Sequence, residues 1–276
     1  VSGRGAFAFL VANVLAGVLN YLFQVHAATV LDAASFGLLS AWFARVTIFT
    51  TVATVAQFLS LDFPLAERSL FSLVRSCAAV ALVLLAGITA WQAGGRVLDP
   101  GVLTAVVVVG NVLFFAVVGQ LQARLQLGAV ALSLFAVAVT RCALPFAWAK
   151  AARGPGFYLS HAVSALVGLL VILAVVGRSV PTPALRSREG APSLHLRLWR
   201  PLLLALAAVA LPTLDVLAVS ATSDAATTGS YMRMALAARI IFFGGASALQ
   251  TILPYQLHAG IPGWRRLGSC ALPNAG

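Results

Sequence analysis

Four arginines, Arg45, Arg141, Arg233 and Arg239, lie inside long apolar stretches of this chain. A guanidinium keeps its proton, and placing one at the centre of a membrane helix costs about 2.5–3.5 kcal/mol on insertion scales. What such a group does well is bind oxyanions, because its planar donors match the oxygens of a phosphate or carboxylate two at a time. Acids to neutralise them are scarce: of Asp32, Asp62, Glu67, Asp99, Glu189, Asp215 and Asp224, only Asp215 falls well inside an apolar stretch. Asp215 is placed to pair with Arg239 or Arg233, or to take part in ion coupling. Arg45 and Arg239 follow Gly37 and Gly229 by roughly 12 and 15 Å of helix, near the middle of a hydrocarbon core about 30 Å thick. These two fit a cationic, water-accessible cavity that holds an anionic group. Arg233, near the start of its stretch, fits a stem lying in lipid with its head at the surface, and Arg141 fits either description.

Polar residues accompany the cations. Asn13, Asn20 and Gln24 fall at i, i+7 and i+11 and share one helix face. They either line a cavity or bond to a neighbouring helix. Gln57 and Gln250 have the same two readings, with helix–helix bonding favoured. His26, His161 and His258 stand alone near the ends of apolar stretches and belong to the membrane interface. Cys77, Cys142 and Cys270 have no metal-ligand spacing. The chain has no Gly-rich phosphate loop ending in Lys-Ser/Thr, no HExxH, no CxxC and no GxSxG. With acids so few, there is little to act as a general base. The residues point to binding and movement of a ligand rather than covalent chemistry, with no cofactor and no metal.

The elements that carry these residues follow from composition. The 276 residues are 61% hydrophobic and 9% charged, against roughly 25% charged in a soluble domain. The apolar runs are long and unbroken, which predicts helices rather than alternating strands. Eight spans are expected, at about 6–29, 38–60, 75–94, 101–120, 127–149, 157–177, 201–221 and 231–253. The first is too long, and too interrupted by Asn13 and Asn20, for the apolar core of a signal peptide. Trp91, Trp148 and Trp199 mark span ends. The net charge of +11 would suggest nucleic acid in a soluble protein, but here the cations are scattered between spans, and topology accounts for them. With the N-terminus in the cytoplasm, eleven arginines fall inside: Arg4, Arg68, Arg75, Arg124, five in 178–200, Arg265 and Arg266. Three cations, Arg96, Lys150 and Arg153, fall outside, and the excess inside sets this orientation.

The order of parts then reads as a six-helix transmembrane lobe (1–177), a basic cytoplasmic linker rich in proline (178–200), and the start of a second lobe with two helices and a short irregular tail (201–276). A repeat links the lobes. Asp32–Gly37 (DAASFG) returns as Asp224–Gly229 (DAATTG), each copy at the end of one span and the start of the next. An arginine and later a glutamine follow both: Arg45 and Gln57, then Arg239 and Gln250. Six spans separate the copies, so both enter the membrane in the same direction, the parallel kind of internal repeat. The fold class expected is all-α: a polytopic membrane bundle of about eight spans, one six-helix lobe plus the first two helices of a parallel repeat. After Pro254 no span or helical period continues, which reads either as a C-terminal truncation or as a short cytoplasmic tail.

Certain segments resemble a known family. Asn20–Tyr21 followed by Asp32–Gly37, and the run from Leu214–Val216 through Gly229–Tyr231 and Ala238–Ile240 to Leu253–Pro254, resemble the polysaccharide-exporter branch of the multidrug/oligosaccharidyl-lipid/polysaccharide (MOP) flippase superfamily. The resemblance covers about residues 4–256. It implies two six-helix lobes around a central cavity, alternating access driven by membrane potential or an ion gradient, and a substrate of polyprenyl-diphosphate-linked oligosaccharide moved outward across a bacterial cytoplasmic membrane for surface polysaccharide such as O-antigen. Relatives on the peptidoglycan-precursor side use cavity arginines on spans two and eight, so the resemblance implies a diphosphate contact at Arg45 and Arg239, to which the reading of the residues adds Arg141. The partners implied are the lipid-linked oligosaccharide, membrane lipids, and a polysaccharide polymerase or glycosyltransferases. The chain departs from the family in lacking later spans. The alternatives are a drug/cation antiporter of the same architecture, disfavoured because the first span holds no acid before Asp32, and a non-transporting scaffold or inactive fragment.

Overall fold

A computed structural model describes residues 3–62, 67–93, 99–124, 126–148, 153–176 and 211–239. Every element among them is a helix: α1 (Gly3–Val30), α2 (Ala33–Asp62), α3 (Glu67–Ala93), α4 (Pro100–Ala123), α5 (Leu127–Trp148), α6 (Arg153–Val176), α7 (Leu211–Thr222) and α8 (225–239). The chain is an all-α bundle. Five of the described helices, in α1, α2, α4, α5 and α6, contain stretches long and apolar enough to cross a bilayer. Ser72–Ile88 in α3 and Thr213–Thr222 in α7 are shorter apolar stretches. Large apolar side chains stay exposed on the outside of the bundle, Phe7, Val83 and Phe146 among them, as expected where lipid takes the place of water. The basic linker 178–200, Gln250, His258 and the tail after Pro254 lie outside the described residues.

The helices begin where the sequence supplies caps. Asp99 accepts hydrogen bonds from the backbone N–H of Gly101 at 2.7 Å and Val102 at 3.4 Å, and Pro100 occupies the first helical position of α4. Asp32 does the same for α2, accepting from Ser35 N–H at 2.8 Å, and Asp224 for α8, accepting from Thr227 N–H at 2.7 Å. Hydroxyls inside the helices bond back to carbonyls three residues earlier: Ser133 to Val130, Ser160 to Phe157 and Ser164 to His161. This satisfies a polar group where no water is available. Pro145 lies inside α5, which runs on to Trp148.

Neighbours in sequence are not always neighbours in space. α1 packs along α5, and α5 along α6; α6 also meets α3 and α4; α4 packs along α2; and α2 also meets α7. The α2–α4 seam is held at both ends. Trp42 donates its indole N–H to Thr104 Oγ1 at 2.7 Å. At the other end Gln57 Nε2 donates to Gln122 Oε1 at 2.8 Å and Gln120 Nε2 to the Ser60 carbonyl at 3.0 Å. Between these amides, Gly119 lets the two backbones touch: a Cβ there would collide with the Gln57 carbonyl oxygen. Where α1, α2, α5 and α6 converge, an aromatic cluster forms. Phe23 meets Phe43 and Phe157 edge-on, both at 5.6 Å; Trp42 meets Tyr158 at 4.8 Å; and His26 stacks on Phe146 at 4.0 Å.

Candidate functional site: the repeat crossing and its arginines

The two repeat copies fold alike and meet each other. Each is a two-residue turn between helices, Leu31–Asp32 and Ser223–Asp224. Leu31 N–H closes the preceding helix on the Ala27 carbonyl at 3.0 Å, and Ser223 N–H on the Val219 carbonyl at 2.9 Å. Phe36 N–H then bonds the Asp32 carbonyl at 2.9 Å, and Thr228 N–H the Asp224 carbonyl at 3.0 Å. The glycines face one another across the crossing of α2 and α8. A Cβ on Gly37 would fall on the Ala225 carbonyl oxygen, and one on Gly229 on the Ala33 carbonyl oxygen. Ala33–Gly37 and Ala225–Gly229 are therefore two small-xxx-small motifs packed backbone to backbone, related by a local twofold. The helix starts lie together, so α2 and α8 set out from the same end of the bundle.

Both capping aspartates hold their carboxyl groups below the ordinary carboxylate value of 3.8. For Asp32 the largest cause is the Ser35 N–H, followed by the Ser35 hydroxyl. For Asp224 it is the Thr227 N–H, followed by the Thr227 hydroxyl. Both donors favour the ionised form, and the positive end of each helix dipole acts in the same sense.

The arginines do not share the symmetry of the turns. The aspartates and glycines repeat at a spacing of 192 residues, whereas Arg45 and Arg239 are 194 apart. Two extra residues turn a helix by roughly 200°, so the two side chains leave α2 and α8 on nearly opposite faces. Arg45 is exposed, on the same face as exposed Leu38, Phe49 and Val52. Arg239 turns inward to α7, where its Nη2 lies 2.9 Å from Asp215 Oδ1 and 3.2 Å from Oδ2. Asp215 also accepts from the Tyr231 hydroxyl at 2.9 Å and from Val216 N–H at 2.8 Å. Of the two arginines open to it, Asp215 thus takes Arg239. Arg233 goes elsewhere: its Nη2 donates to the Leu31 carbonyl at 2.9 Å, and its guanidinium lies 5.9 Å from the Phe36 ring centre. It clasps the end of α1 to α8, a role its sequence position alone did not reveal.

Arg141 occupies a third setting, between α1, α5 and α6. Its Nη1 donates to Asn20 Oδ1 at 2.9 Å and its Nε to Ser164 Oγ at 3.3 Å. No carboxylate among the described residues comes within ion-pair range of it. Close by are buried polar atoms with no partner: Gln24 Oε1, one helical turn beyond Asn20, and His161 Nδ1, one turn before Ser164. His26 Nε2 is a third. Of the α1 polar stripe, Asn20 and Gln24 thus face this region, while Asn13 is buried deeper along the helix. Gln57 is part of the α2–α4 seam and serves helix packing. The three arginines named as anion contacts therefore sit in different settings: an open cation, Arg45; a paired cation, Arg239 with Asp215; and a half-buried cation among neutral partners, Arg141 with Asn20. No group of three His, Cys, Asp or Glu side chains among the described residues is arranged to hold a metal.

Comparison with family models, with curated proteins and with solved structures finds no significant match to this chain.

Proposed function

We propose that the protein is a membrane transporter that flips a polyprenyl-diphosphate-linked oligosaccharide across a bacterial cytoplasmic membrane for surface polysaccharide export. The observation that carries this reading is the pattern of charge. In a bundle of membrane-length helices, the guanidinium of Arg141 on α5 lies among neutral partners, and that of Arg45 is open on the face of α2. Isolated cations in such a setting are costly to retain unless an anion visits them. Phosphate oxygens suit guanidinium geometry, and a lipid-linked diphosphate brings its own anchor into the bilayer. In this reading Arg45, Arg141 and Arg239 contact the diphosphate in turn, while Asn20, Gln24 and the neighbouring histidines offer hydrogen bonds to sugar hydroxyls. No covalent step is involved. In the same reading the N-terminus lies in the cytoplasm, and two lobes around a central cavity give alternating access.

Asp215 bears on the drug/cation antiporter alternative. A cation-binding acid in a bundle has to be free to meet its ion, and this one is taken by Arg239 and Tyr231. The test is export in cells whose surface polysaccharide depends on this protein. Replacing both Arg45 and Arg239 with alanine is expected to abolish surface polysaccharide at unchanged protein level; normal polysaccharide in the double variant would refute the reading.

A further inference from the structure

The Asp215–Arg239 pair is asymmetric in a way that matters to any anion reaching it, and this inference rests on the transport reading above. The Asp215 side chain is 39% exposed and that of Arg239 12%. An approaching ligand therefore meets the acid before the base. The Asp215 carboxylate is already well supplied with donors, from Arg239, the Tyr231 hydroxyl and Val216 N–H. The nearby cation Arg233 is engaged with the Leu31 carbonyl.

We propose that Asp215 is a specificity-determining residue: a built-in counter-ion that reserves Arg239 for multiply charged anions of the phosphate class. Binding at Arg239 is then an exchange of one carboxylate for a ligand oxyanion. A neutral ligand cannot compete for the guanidinium. A monoanionic carboxylate offers the same charge and the same two-oxygen geometry as Asp215, so it gains nothing by the exchange. A diphosphate carries more charge and more acceptor oxygens, and so can win the exchange. Selectivity here comes from the competing carboxylate as much as from the attraction of the guanidinium. After the exchange Asp215 keeps Tyr231 and Val216 N–H as donors, so the displaced carboxylate is not left without partners. The bland alternative is a clamp that only joins α7 to α8; it predicts no change in ligand preference when the charge is removed.

The experiment is equilibrium binding of inorganic pyrophosphate, phosphate and acetate to the purified full chain in lipid nanodiscs, for the wild type, Asp215→Asn, Arg239→Ala and the double variant. The wild type is expected to bind pyrophosphate and to ignore acetate. Asp215→Asn is expected to bind pyrophosphate at least tenfold more tightly and to accept acetate as well, and the gain is expected to vanish in the Arg239→Ala background. An unchanged or weaker affinity in Asp215→Asn, or a gain that survives the loss of Arg239, overturns the inference. If Asp215→Asn does not fold, Tyr231→Phe serves instead. It frees the carboxylate to hold Arg239 more firmly, so pyrophosphate should bind at least twofold more weakly; unchanged or tighter binding contradicts the proposal. Pyrophosphate binding that ignores Asp215 but depends on Arg239 defeats this inference alone. Absence of pyrophosphate binding from every variant defeats the transport reading with it.

Discussion

Arg141 is the residue whose setting is hardest to explain by packing alone. Arg141 is half-buried and has no carboxylate partner among the described residues, so its removal leaves no buried counter-charge uncompensated. Arg141→Met should therefore leave the thermal unfolding midpoint close to that of the wild type while reducing transport at least tenfold. A large fall in the midpoint with transport per folded molecule unchanged would make Arg141 a structural bridge between Asn20 and Ser164 instead. The capping aspartates make a separate prediction. Their folded-state carboxyls sit below the ordinary 3.8, so their contribution to the helix starts is complete above that value and fades as pH falls through the lowered folded-state value. Amides at the starts of α2 and α8 should lose hydrogen-exchange protection in that acid range. Asparagine, a good cap that does not titrate there, should remove the pH dependence at positions 32 and 224 while keeping the protection. Most of this residue-scale detail was hidden in the sequence. Arg141 and Asn20 are 121 residues apart, and nothing local announces that they meet. The Asp215–Arg239 pairing was more accessible, because both lie on one helical hairpin.

At the scale of elements, the DAASFG and DAATTG copies were visible as a repeat, but their physical meaning needed the structure. Each combines a cap, which starts a helix, with a small-xxx-small pair, which lets that helix cross its counterpart at backbone distance. Lipid provides no hydrophobic drive between helices, so close backbone packing has to supply the association. Gly37→Val or Gly229→Val should therefore separate α2 from α8 and lower both the thermal midpoint and transport. Gly87→Ala, at an exposed position with nothing within 4 Å of an added Cβ, should be neutral; a midpoint change there as large as at Gly37 would discredit the crossing. Span positions were legible because apolar runs set helix lengths. Their starts were less so: α2 begins at Ala33 rather than near 38, since the Asp32 cap, not hydropathy, decides where the helix opens. The facing of Arg45 and Arg239 was not legible either. Both looked like counterparts in the repeat, but the two-residue offset turns them to opposite faces, and only helix geometry counted from the glycines reveals it.

At the scale of the whole molecule, a charge-poor chain has become an all-α bundle whose few polar groups fall in distinct places. Amides hold the α2–α4 seam, aspartates and glycines hold the α2–α8 crossing, and Arg45, Arg239 and Arg141 occupy an open, a paired and a half-buried setting. The first two groups are explained by folding alone. The third is what the proposed transport of a lipid-linked diphosphate rests on. The most direct test reconstitutes the protein in vesicles carrying a fluorescent polyprenyl-diphosphate-linked sugar and follows its movement between leaflets by quenching from outside. The wild type is expected to transfer the lipid well above the level of protein-free vesicles, and the Arg45→Ala/Arg239→Ala variant only at that level. Wild-type transfer no faster than in empty vesicles, or full transfer by the double variant, would contradict the proposal.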